Sequence, residues 1–170
     1  MGWLARIFGV ASREELRGLV LDISDGCWVI GETADLAAVL ESLPLIIDES
    51  CFLFFEGGRP GAALREYIES HQVEEQEKVP RATVWPRLPV VHLPATLSAI
   101  QELAQLAANS SPFEFGVHFR VYRKGEVVLE WHDAFMQEML VSKDVPESKV
   151  MRFAKALGVE YHYHAQPQRR

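Results

Sequence analysis

The chain has 170 residues, of which 48% are hydrophobic and 24% charged, with a formal net charge of −7. These are proportions of one globular domain rather than a disordered chain. The acidity works against an interface with nucleic-acid phosphates, which needs clustered Lys and Arg, and no apolar run approaches the roughly 18 residues of a membrane span.

The first residues lack the long apolar core of a signal peptide. Trp3, Leu4, Ile7 and Phe8 make an apolar helical face, expected to pack on the domain or to join a second copy as a homo-oligomer. Ser12-Arg13-Glu14-Glu15 is a capping box, but Gly18 weakens a helix there, and Leu19 to Ile23 also reads as a strand. Ser24-Asp25-Gly26 is a turn, and Cys27 to Ile30 the returning strand. Thr33 caps a helix over 34–43, with Leu36, Val39, Leu40 and Leu43 on one face and Pro44 at its end.

Cys51 to Phe55 is continuously apolar, as in a central strand covered on both faces. Gly57-Gly58-Arg59-Pro60-Gly61 follows as a turn, with Pro60 in the first turn of a helix to about Ser70. Residues 71–88 carry Glu74, Glu75 and Glu77 and three prolines counting Pro89, which predicts an exposed acidic loop. Pro89 to Leu93 is a short strand, and Thr96 starts a helix to about Asn109. Cys27 and Cys51 both lie in apolar runs, as small buried hydrophobes do. Two cysteines make no disulfide framework, so a cytoplasmic location is expected.

Phe113, Phe115, Val117, Phe119 and Val121 alternate with polar or small residues, and Val127, Leu129 and Trp131 do so on the return. A two-residue turn at Lys124-Gly125 would set Phe119 against Glu130 and mix the faces. A three-residue turn, Arg123-Lys124-Gly125, pairs Val121 with Val127, Phe119 with Leu129 and Val117 with Trp131. It also places Gly125 where a left-handed residue is needed. The three-residue turn is therefore expected, with His118 beside Glu130 on the opposite face. Gln137 to Val141 adds a strand, 146–157 a helix with Gly158 beyond its end, and Val159 to Tyr163 a last strand before a frayed tail at 165–170.

The expected fold class is α+β: one mixed, mainly antiparallel sheet packed with helices, including a partly parallel section where strands and helices alternate. The domain should span 1–170.

Four groups of residues bear on chemistry. His118, Glu130, His132 and Asp133 form a His/carboxylate set suited to acid–base work or to a divalent ion, although the wet face of a sheet explains it better. Gly57, Gly58 and Arg59 precede a helix N-terminus and could meet an anion, yet match neither phosphate-binding glycine motif. In Tyr161-His162-Tyr163-His164 the two His share a face, but an ordinary exposed strand end accounts for them. Glu74, Glu75 and Glu77 with Trp85 suit a basic protein partner, charge steering the encounter and the ring supplying contact energy. The expectation is a non-catalytic, protein-binding domain of immunity or regulatory-adaptor type, needing no cofactor or metal. The alternative is a small hydrolase-like or metal-binding enzyme using the hairpin His/carboxylate set.

Overall fold

The computed structural model describes residues 18–83, 85–133 and 137–165. The apolar segment at Trp3–Phe8, its proposed oligomer contact, the capping box at Ser12 and the end of the tail lie outside the described residues. Seven strands form one sheet: β1 (Cys27–Ile30), β2 (Phe52–Gly57), β3 (Val90–Pro94), β4 (Gly116–Arg123), β5 (Glu126–Trp131), β6 (Met139–Ser142) and β7 (Tyr161–His164). Their spatial order is β3-β2-β4-β5-β6-β1-β7. The helices are α1 (Leu36–Ser42), α2 (Ala62–His71), α3 (Leu97–Ala107), a single turn α4 (Pro112–Phe115) and α5 (Glu147–Leu157). The class is α+β, and among the described residues no helix is long and apolar enough to cross a membrane.

Side chains alternate across the strands with period two. Leu53, Phe55, Phe119, Val121, Leu129, Trp131 and Val141 face the helices, where Leu36, Leu40, Leu64, Leu103 and Phe153 meet them in one buried cluster. Phe54, Tyr122 and Val127 face the other way, under Leu21 and Val79. Among the described residues that second face carries no helix. Two segments without regular secondary structure cover it, 19–23 and 73–83, joined where the Leu19 N–H donates to the Lys78 carbonyl at 2.8 Å.

All strand pairs among the described residues are antiparallel, so the expected partly parallel section is not found there. The chain path gives the reason. After β2, helix α2 packs on the first face. The chain then reaches the edge of β3, where Val73 N–H donates to His92 O at 2.9 Å. It crosses the second face past Arg120, whose Nη1 donates to Pro80 O, and past Glu56, which takes the amides of Ala82 and Thr83. This strap returns the chain to the end of β2, with Gly57 N–H on Pro89 O. β3 must then run back along its neighbour. A helix alone would have left the next strand parallel.

Three local expectations change. Leu19 to Ile23 belongs to no strand, although the turn at Asp25-Gly26 forms with Gly26 at φ 112°. Phe113 lies in α4, where Ser111 and Glu114 cap each other, and the strand begins only at Gly116. The hairpin register also differs. Arg123 pairs with Glu126 and Tyr122 with Val127 around a two-residue tip at Lys124-Gly125, and a bulge then pairs Val121 with Leu129 and Phe119 with Trp131. Val128 is the extra residue. The bulge restores the apolar faces that a plain two-residue hairpin would have mixed. Gly125 stands at φ 75° in the tip, and Phe119 is 1% exposed.

Phe119 stacks on Phe55 with ring centroids 4.8 Å apart. Phe119→Ala should therefore cost about 3–5 kcal/mol in urea unfolding, the range for a large aromatic deleted from a packed core. A loss below about 1 kcal/mol would show that this pair does not anchor the sheet.

Candidate functional site

The second sheet face places charged and polar side chains from three adjacent strands under the strap. Glu56 ends the apolar run of β2 on this face and is fully buried. Its carboxylate accepts from Ala82 N at 2.7 Å and Thr83 N at 2.9 Å. The bulge sets Arg120 opposite Glu130, with Nε 3.0 Å from Oε1 and both side chains nearly enclosed. That N–H has no aligned acceptor among the described residues, so the contact is an ion pair rather than a directed hydrogen bond. The guanidinium lies 5.5 Å over the Phe54 ring, a cation–π geometry.

The expected neighbour of Glu130 was His118. The shifted register puts His118 against His132 instead, with Nδ1 atoms 3.2 Å apart. His132 Nε2 lies 3.2 Å from Glu130 Oε2, and His118 Nε2 lies 3.2 Å from Thr83 Oγ1. Asp133, at φ 53°, donates its backbone N–H to His118 Nδ1 at 3.4 Å. An Nδ1 that accepts is unprotonated, so His118 holds its proton on Nε2 and donates to Thr83. His132 thus bridges His118 through Nδ1 and Glu130 through Nε2.

Burial pushes the His118 pKa down, and the His132 charge adds to this, outweighing Glu56 and Asp133. Burial alone would raise Glu130, but the His132 hydrogen bond and the Arg120 charge hold it below the usual carboxylate range. His92 also titrates low because it is buried. Its Nδ1 lies 2.8 Å from the Tyr122 hydroxyl, which burial pushes up to about 12.

The four hairpin residues do not converge on a metal. His118 and Glu130 meet opposite nitrogens of His132, and the Asp133 carboxylate accepts from Gln137 at 2.6 Å. Among the described residues no group of three or more His, Cys, Asp or Glu is arranged to hold an ion. A depression of about 230 Å³ opens beside His132, lined by Glu32, Gln137, Glu138 and Leu140.

The glycine turn is already filled. Gly57 N–H bonds Pro89 O, and Arg59 N–H bonds Phe113 O. Gly61 N–H bonds the Glu114 carboxylate at 2.8 Å. A Cβ on Gly58 would sit 2.4 Å from Phe115 O, so close backbone packing explains this glycine. The Glu114 carboxylate thus already occupies the Gly61 N–H at the start of α2.

The acidic residues and Trp85 lie at opposite ends of the strap. Glu74 and Glu75 are exposed, Glu75 accepts from Val79 N at 3.1 Å, and the charges of Glu75 and Glu77 act on Tyr122. Trp85 follows Thr83, beside His118, which is about 13 Å along β4 from Tyr122 at the usual rise per residue. The segment expected to be wholly exposed also buries Val79 and Pro80. Trp85 itself is 84% exposed. Its loop is closed by Arg81 Nη1 donating to Leu88 O at 2.6 Å.

Glu56, Arg120 and Thr83 escaped the sequence reading as site residues. A lone acid closing the run Phe52-Leu53-Phe54-Phe55 was the available signal, since buried charge demands a partner.

His118 and His92 have lowered folded values, so their neutral forms favour the fold. The unfolded chain takes up protons first as pH falls below about 6.5. Glu130, also lowered, loses its contribution at more acid pH. Tm should thus decline on acidification from about pH 6.5, with a further fall below about pH 4.5. His118→Gln and His92→Gln should each flatten the upper part of the profile, and profiles parallel to wild type in both would contradict the assignment. Glu56→Ala should cost on the order of 3 kcal/mol, from two charge-assisted bonds lost, and speed amide exchange at Ala82 and Thr83.

Comparison with known proteins finds no match to this chain among family models, curated sequences or solved structures, so its function has to be read from the geometry.

Proposed function

We propose that this chain is a non-catalytic domain that binds another protein, with Trp85 as the anchor of the contact. The observation that carries this reading is an indole left 84% exposed on a loop whose base is held by buried groups. Glu56, Arg120 and His118 each bond the backbone or side chain of residues 80–83. A rigid aromatic on a pre-organised loop loses little conformational entropy on docking, and Trp is enriched among residues that dominate binding energy.

The acidic end of the strap supports a partner with a basic surface. A standard interface covers about 800 Å² per partner, wide enough to include both Trp85 and the exposed Glu74 and Glu75. Charge at the rim accelerates encounter while the buried ring sets residence time. Neutralising a basic toxin or regulating a basic enzyme are the concrete forms of this role.

A second reading rests on the line Thr83, His118, His132, Glu130, in which a hydroxyl, two imidazoles and a carboxylate touch in sequence. Such a line suits proton transfer. Two observations favour the binding role over it: Thr83 is part of the strap that Glu56 fixes, and the Glu130 carboxylate is engaged by Arg120 and His132.

Affinity capture from cell extract, with binding then measured on the purified partner, tests the proposal. Trp85→Ala should weaken the complex at least about tenfold, or 1.4 kcal/mol, with Tm unchanged because the ring is exposed. Reversing charge at Glu74, Glu75 and Glu77 together should slow association and reduce its salt dependence. Equal affinity of wild type and Trp85→Ala would sink the anchor role.

A further inference from the structure

We infer that β7 is a zinc-binding edge, at which His162 and His164 from two copies of this chain hold one ion between them. This inference is independent of the Trp85 loop. Among the described residues β7 is the terminal strand of the sheet and pairs with β1 alone. The opposite edge is partly closed, since Val73 N–H bonds His92 O on β3. No hydrogen bond from the described residues reaches the outer side of β7. The strand also lacks the Lys, Pro or bulge that usually protects such an edge.

The strand is held in place up to its end. Tyr161 and Tyr163 pack against Trp28, with ring centroids 6.0 and 4.9 Å away. The Tyr163 hydroxyl donates to Asp25 O at 2.9 Å. His162 and His164 lie opposite Val29 and Cys27, so both imidazoles project from the other face. Both residues are exposed, and neither ring is given a hydrogen bond or ion pair by the described residues. A tyrosine pair thus fixes the backbone and leaves two imidazoles free on one side.

Antiparallel pairing of β7 with its own copy, centred on Tyr163, keeps equivalent faces together. It sets His162 of each copy directly opposite His164 of the other. Cross-strand Cβ atoms then stand about 5 Å apart, and the two His of one strand about 7 Å apart. Four imidazoles at the corners of such a rectangle can turn inward to meet one ion at 2.0–2.1 Å, the usual zinc–nitrogen distance. Imidazole donors select zinc-type ions over calcium or magnesium. The described residues of one chain hold no group of three ligands, so the second copy supplies the missing half. Each copy carries a net charge of −7, which opposes association, and a dication at the seam offsets that repulsion locally.

Untagged full-length protein should be monomeric in EDTA. Zinc chloride in a non-coordinating buffer should convert it to a dimer by light scattering, with one zinc per two chains by calorimetry. His162→Ala and His164→Ala should each weaken zinc binding at least tenfold and remain monomeric at the same zinc concentration. Their circular dichroism and Tm should match wild type, because both side chains are exposed. A dimer that persists in EDTA, zinc taken up one per chain without association, or undiminished binding in the double variant would each overturn the inference. The last result would move the ion to His71, His92, His118 or His132.

Discussion

The carboxylate of Glu56, fully buried and bonded to two backbone amides of the strap, is the contact on which the second sheet face depends. A strap without regular secondary structure brings N–H and C=O groups onto an apolar sheet with no ladder to satisfy them. Charged side chains from the sheet supply partners. Glu56 accepts at Ala82 and Thr83, Arg120 donates at Pro80, and Glu130 accepts from Leu21 N–H at 3.4 Å. Burying charge carries a desolvation penalty that a single ion pair rarely offsets. Here the charges also satisfy backbone groups that would otherwise be buried without partners, and that second role accounts for their position.

The same cluster explains why the hairpin carries a bulge. A plain two-residue turn would have pointed Leu129 and Trp131 toward the strap and Glu130 toward the helices. The extra residue at Val128 reverses this beyond the tip. Arg120 then faces Glu130 and His118 faces His132. One local irregularity therefore decides both the core contact of Phe119 with Trp131 and the composition of the polar cluster.

Much of the fold was legible because hydrophobic period and turn chemistry agree along most of the chain. Helices α1, α3 and α5 follow their apolar stripes, and Gly158 ends α5 in the left-handed region at φ 69°. The hairpin was legible as a pair of strands with correct inward faces, but not in register. Turn length and bulge compensate each other, and alternation alone cannot separate a three-residue turn from a two-residue turn plus a bulge. The strap was illegible for a different reason. Residues 72–83 are rich in Glu, Gln and Lys, which reads as solvated loop, and only Val79 and Pro80 reveal contact with the sheet. The antiparallel arrangement follows from that crossing, so missing the strap also produced the expected parallel section.

Apolar packing and buried charge are thus divided between the two faces. The helix side buries a continuous apolar cluster from every strand but β7, with β7 contributing a partly buried Tyr161. The strap side has a smaller apolar cluster around Phe54 and Tyr122, next to charges whose alignment depends on protonation. Buried Glu56 and Arg120 hold the strap to the sheet where apolar packing is sparse. Its tip carries the most exposed large hydrophobic side chain among the described residues, Trp85, and its base rests on His118, whose neutral form the buried site favours.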